Sequence, residues 1–325
     1  MSEEYNFMVV TCFSSGARQA HEPGSREYTY LAYSSRLVID LLSTSQARQC
    51  LTRIALEYDR VAFRSSLFIG DPRRAQYYID LFLRKISQRF PAIIIDEGIQ
   101  NPDILAMHER SPWSGTYEQF DARMQSVILN ASKVYGMINA GRLQESEQVF
   151  WRYHFLLATA MAHEIGGHIL ITFLGQGRKH TPRTIGAPGY LDADGITGEA
   201  GRNLEMQLFG GTIEYYQSSN QRTQDTGVPH IVTARGRKLR IHDDMFRNFF
   251  HRRFQFPLQI SSETTGYTRN MGDGFPREQH GPSERCMMSA ERSDKRVQRM
   301  LAGFNVRIRD VYNFPQNTRA LLRAF

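Results

Sequence analysis

VFWRYHFLLATAMAHEIGGHILITFL, residues 149–174, is apolar almost all the way round a helix. A surface helix carries one apolar stripe, so an all-round pattern predicts a helix sunk in the interior with the rest of the chain packed about it. Gly175-Gln176-Gly177 then ends it, as glycine past a helix terminus does. Into this stretch the sequence sets His163, Glu164 and His168. A buried ionised glutamate is costly unless it is paired, hydrogen-bonded or beside a metal. A neutral imidazole is the commonest zinc ligand, and a glutamate next to it can act as a general base.

The spacing decides how such a site is built. In the HExxH motif of zinc proteases the histidines are four apart and about 40° apart around the helix. Here they are five apart, which an ideal helix places about 140° apart. A one-residue π-bulge would restore a common face, and Gly166 and Gly167 would tolerate it. Bland readings stand beside this one: a pair of satisfied core histidines, and a Glu164 salt-bridged to one of the many arginines. His154, nine residues before His163, is about 14 Å along the helix and too far to share an ion.

Outward from that helix, Asn6–Phe13 favours a strand and is followed by a Ser-Ser-Gly turn. Residues 29–64 read as helix. Asp71-Pro72 gives a capped helix start and an amphipathic run to Phe90. Ala92–Asp96 reads as a short buried strand, and 98–120 as a long surface connection. Ser126–Asn130 and Val134–Ile138 are further strand candidates. After the buried helix a glycine- and proline-containing loop leads to a helical run over 198–216. The chain beyond Gln217 is polar and arginine-rich, with 261–285 a long exposed loop and helix again over 289–301 and at the end.

The 325 residues carry a net charge of +7, almost all of the excess arginine. Basic and aromatic residues interleave in Arg235-Gly-Arg-Lys-Leu-Arg240 and Phe249-Phe-His-Arg-Arg-Phe254. That mixture can serve a single-stranded nucleic acid, but no nucleic-acid motif accompanies it, and a solvated arginine face over a buried aromatic row is the simpler reading. The three cysteines, Cys12, Cys50 and Cys286, form no CxxC pair; they exclude a disulfide scaffold or a cysteine-rich zinc site and suit a reducing compartment. No run approaches about 18 uninterrupted apolar residues, and the acidic start has no signal-peptide pattern. The expectation is a cytoplasmic protein that does not span a membrane.

HEIGGH resembles the HELLGH motif of the dipeptidyl-peptidase III family, metallopeptidases whose zinc histidines are spaced in this way. Gly195-Ile-Thr-Gly-Glu199-Ala-Gly-Arg-Asn203 resembles the second, glutamate-bearing motif of the gluzincins, the thermolysin-like proteases, N-E-x-x-S-D. The resemblance implies one Zn2+ per chain with His163, His168 and Glu199 as ligands and Glu164 as base. Asn203 falls where an acid holds a zinc histidine, and an amide orients an imidazole without raising its basicity. Glu205 competes with Glu199 for the third-ligand place, about 120° away on the same helix. Glu199 is favoured by its Gly-Glu-Ala-Gly setting, although an acid at a helix start also suits the helix dipole. His180, Tyr190, Tyr215 and His230 are candidates for oxyanion or substrate contacts.

The expected fold is α+β and zincin-like. Residues 1–178 hold a small sheet packed on the metal-binding helix, and a mainly helical 179–325 carries the third ligand, the two parts separate or continuous. The expected function is zinc-dependent hydrolysis of an amide, peptide or related acyl bond. Two alternatives stay open: the same metal used on a small molecule, in lactone opening, dehydration or cyclisation, and a non-catalytic basic binding protein on a relic metallohydrolase fold.

Overall fold

The computed structural model describes residues 4–5, 7–62, 67–100, 104–142, 147–176, 181–187, 198–216, 226–260 and 312–313. Two-residue strands β1 (Glu4–Tyr5) and β10 (Tyr312–Asn313) pair antiparallel. The main sheet starts with β2 (Val9–Cys12), which turns into the antiparallel edge strand β3 (Arg18–His21). Three helices follow: α1 (Arg26–Leu42), α2 (Ser45–Ala62) and α3 (Pro72–Gln88). Ser25 caps α1 by accepting from the Tyr28 amide, and Asp71 with Pro72 starts α3 as the sequence indicates.

The chain returns as β4 (Ala92–Asp96), parallel to β2 and buried at every residue. It makes the short edge strand β5 (Ala106–Met107) and enters β6 (Ser126–Asn130), parallel to β4 and antiparallel to β5. The order β3-β2-β4-β6-β5 places the apolar runs in the centre, where strands covered on both faces lose their alternation. Part of the predicted surface connection is therefore sheet, with Leu105, Ala106 and His108 buried.

Val134–Ile138, a strand candidate, belongs instead to α4 (Ala131–Arg142). Its β-favouring residues are overridden because Asn130 ends β6 and its side chain accepts from the Ser132 amide at the first turn.

The buried helix runs as α5 (Glu147–His163), a π-helical turn (Glu164–Ile169) and α6 (Leu170–Gly175). This 29-residue helix is long and apolar enough to cross a membrane, yet its apolar stretch of 18 residues is wholly buried inside the fold. Helices α1 and α4 pack against α5, as do α7 (Ala200–Phe209) and α8 (Asp244–Phe250).

The predicted helix over 198–216 stops at Gly210, whose φ of 85° suits a left-handed helix end. Thr212–Tyr216 is a strand, β7, which pairs antiparallel with β8 (Val228–Val232), and β8 pairs with β9 (Lys238–Arg240). Among the described residues the part after 179 is thus mixed, not mainly helical. The aromatic row behaves as the simpler reading requires: Phe246, Phe249 and Phe250 are buried while Arg252 and Arg253 are exposed.

One buried apolar cluster runs from Phe7 to Leu258 and joins both parts of the chain. The expected 261–285 loop and the helices beyond it lie outside the described residues, as do His180 and Tyr190.

Candidate metal centre

The site begins with a local defect in the helix. The Leu170 amide donates to the Ile165 carbonyl, an i to i−5 bond, and the turn widens by one residue. The widening carries His168 round to the face of His163, and their ring centroids stand 5.4 Å apart.

The glycines explain why a second helix can reach this face. A Cβ on Gly167 would collide with the backbone of Gly201, and one on Gly201 would collide with the His163 ring. The π turn and α7 therefore cross at backbone contact, which any larger residue at either place would prevent. That crossing brings in Glu199, the N-cap of α7, whose side chain also accepts from the Gly201 amide at 3.2 Å.

Ligand-type atoms of His163, His168 and Glu199 all lie within 4.8 Å of one another. His163 Nε2 is 3.3 Å from one Glu199 oxygen and His168 Nε2 is 2.8 Å from the other. Neither Nε2 makes a well-directed hydrogen bond among the described residues, and both are buried. Neighbouring atoms around a tetrahedral zinc with bonds of 2.0–2.1 Å are separated by about 3.3 Å, so the donor set fits such an ion. Beside it, both carboxylate oxygens of the fully buried Glu164 have no hydrogen-bond partner among the described residues. Four polar atoms orphaned in one buried place demand a reason.

No protein family, curated protein or solved structure matches the chain.

Glu205 proves to have a different place from the one weighed for it. Its carboxylate meets His163 on the opposite nitrogen, Nδ1, at 2.7 Å. The other oxygen accepts from Arg202 Nη1 at 3.0 Å and from the Ile213 amide at 2.9 Å. Glu205 thus orients the imidazole from behind, the task sequence reasoning gave to Asn203. The Asn203 side chain faces elsewhere, donating to the Gly186 carbonyl at 2.7 Å and accepting from Gln207 at 2.5 Å. The correction is one of helical phase: position 205 is turned towards α5, whereas position 203 is turned towards the loop before α7.

The electrostatics follow from these contacts. Burial pushes His163 down, but Glu199 and Glu205 outweigh it and raise the ring to about 10. Burial likewise opposes ionisation of Glu199, yet the two histidines hold its carboxyl well below the ordinary value. Burial drives Glu164 up, against the pull of His168 and His163.

On the far side of His168, Nδ1 faces Arg110 Nη2 at 3.5 Å, and the same Nη2 donates to the Thr181 hydroxyl. Sequence reasoning missed Arg110, Thr181 and Arg202. Only Arg202 had a local signal, an i,i+3 ion pair with Glu205. Tyr215 and His230 have partners of their own: the tyrosine hydroxyl lies 2.9 Å from Thr159 Oγ1, and His230 Nδ1 2.9 Å from the Val228 carbonyl.

Proposed function

We propose that the chain is a zinc-dependent hydrolase of an amide, peptide or related acyl bond, built on a zincin-like fold. The observation that carries this reading is the convergence of His163, His168 and Glu199 on one face of the π turn, beside a Glu164 carboxylate with no hydrogen-bond partner among the described residues. His163 Nε2, His168 Nε2 and the Glu199 carboxylate would hold the ion. Two nitrogens, one carboxylate and no sulfur are a usual donor set for catalytic zinc. When bound there, zinc supplies a Lewis acid that polarises a carbonyl and lowers the pKa of a water towards about 7.

The chain's own residues do the rest. Glu164 acts as the base, taking the proton of the attacking water and passing it to the leaving group. Burial suits it to that task, because it raises the carboxyl from its ordinary value and so makes it a stronger base than an exposed carboxylate. Glu205 keeps the His163 ring oriented, and Arg202 with the Ile213 amide keeps Glu205 in place. A cytoplasmic setting agrees with Cys12 and Cys50, two buried cysteines that form no disulfide among the described residues.

Elemental analysis and substitution test the reading together. The purified chain should hold one zinc, and a panel of amide and peptide substrates should reveal turnover. Glu164→Gln should keep the zinc and lower turnover by about 10²–10⁴-fold. His168→Ala should lose both. Loss of zinc from Glu164→Gln as readily as from His168→Ala would make Glu164 a ligand and sink the mechanism.

A further inference from the structure

The two imidazoles turn the same nitrogen, Nε2, towards Glu199 and rest on opposite kinds of support. Behind His163 stands a carboxylate, Glu205, 2.7 Å from Nδ1. Behind His168 stands a guanidinium, Arg110, 3.5 Å from Nδ1. An imidazole that gives its Nε2 lone pair to a metal as a neutral ligand carries its proton on Nδ1. A carboxylate accepts that proton and strengthens the ring as a donor. A guanidinium has donors only and cannot accept it, and its positive charge withdraws electron density from the ring.

Taking the zinc reading above as its basis, we propose that Arg110 is a positioning residue that weakens His168 as a donor, making this ligand the labile side of the metal centre. Arg110 is well placed to act without reaching the ion. It lies on the connection after the edge strand β5, and its Nη2 donates to Thr181, a residue only 1% exposed.

Zinc affinity, measured by competition with a chromophoric chelator, tests this without any substrate. In Arg110→Gln the guanidinium and its charge are removed from behind Nδ1, so zinc should bind about tenfold tighter or more. Arg110→Lys keeps the charge and should bind as the natural chain does. A lost structural contact would weaken the site, so the direction of change is diagnostic. Equal or weaker binding by Arg110→Gln overturns the proposal. Should that variant fail to fold by circular dichroism, Arg110→Met carries the same test, with tighter binding expected and equal or weaker binding fatal. A natural chain that binds no zinc would remove the hydrolase reading and this inference together, whereas zinc binding without tightening removes the inference alone.

Discussion

His154 and His163 lie on one helix, each about 1% exposed, and their surroundings treat them in opposite ways. His154 Nδ1 meets the Ser34 hydroxyl at 2.8 Å, and Tyr30, Tyr33, Phe150 and Phe250 pack around its ring. Burial pushes it down to about 3, so the ring stays neutral. Nine residues on, His163 lies between two carboxylates and is raised to about 10. Burial is common to both histidines and decides neither role. What differs is the neighbouring helix: α1 offers a hydroxyl and aromatic rings, α7 offers acids at its start and its second turn.

The strongest way to break this contrast is to remove an acid. Glu205→Gln leaves Arg202 buried without its carboxylate, and breaking a buried pair in this way costs about 3–5 kcal/mol. Chemical denaturation should show a loss of that size, and zinc affinity should fall by about 10–100-fold as the His163 ring loses its support. Stability and zinc binding both unchanged would show that Glu205 is incidental.

Gly201→Ala sharpens the contrast through shape alone. In an exposed helix interior this change stabilises by up to about 1 kcal/mol. Here the added Cβ meets the His163 ring, so the sign should reverse, to a loss of about 1–3 kcal/mol. Thermal melting gives the sign directly, and a more stable variant would refute the close crossing.

His154 supplies an effect that is absent at neutral pH and visible only as the pH falls. Its folded value of about 3 lies below the 6.5 of the unfolded chain. Its contribution is therefore whole above pH 6.5 and is lost as the pH falls towards 3, because only the unfolded chain takes up the proton. The slope is about 1.4 kcal/mol per pH unit. His154→Asn keeps a hydrogen-bonding amide and cannot titrate, so its stability should fall less steeply between pH 6 and 4. Parallel curves for the two proteins would mean that His154 is protonated in the fold.

What the sequence revealed about this site was what could be written as a local pattern. The all-round apolar run marked the buried helix, and five-residue histidine spacing with two glycines foretold the widened turn. Gly-Glu-Ala-Gly marked where α7 could come close, since small residues permit an approach whatever the fold. The tasks of Asn203 and Glu205 were not legible, because both sit on one helix and the choice depends on the phase at which α7 meets α5. Arg110 carried no signal, for it is brought behind His168 by the sheet edge and not by its neighbours in sequence. The strand β8 was hidden for another reason: Pro229, which lacks an amide proton, sits within it opposite Tyr215.

The His163 ring, held between Glu199 and Glu205, also works as a strut. Glu205 grips Nδ1 at 2.7 Å from the second turn of α7, while Glu199 at the N-cap faces Nε2 at 3.3 Å. A half-turn of the ring about its Cβ–Cγ bond would put carbon atoms where the nitrogens now face oxygen, so both ends resist the flip. The ring can therefore neither rotate nor slide without dragging α7 along. Its orientation is set when the two helices dock, and the docking distance is gauged by the width of one imidazole.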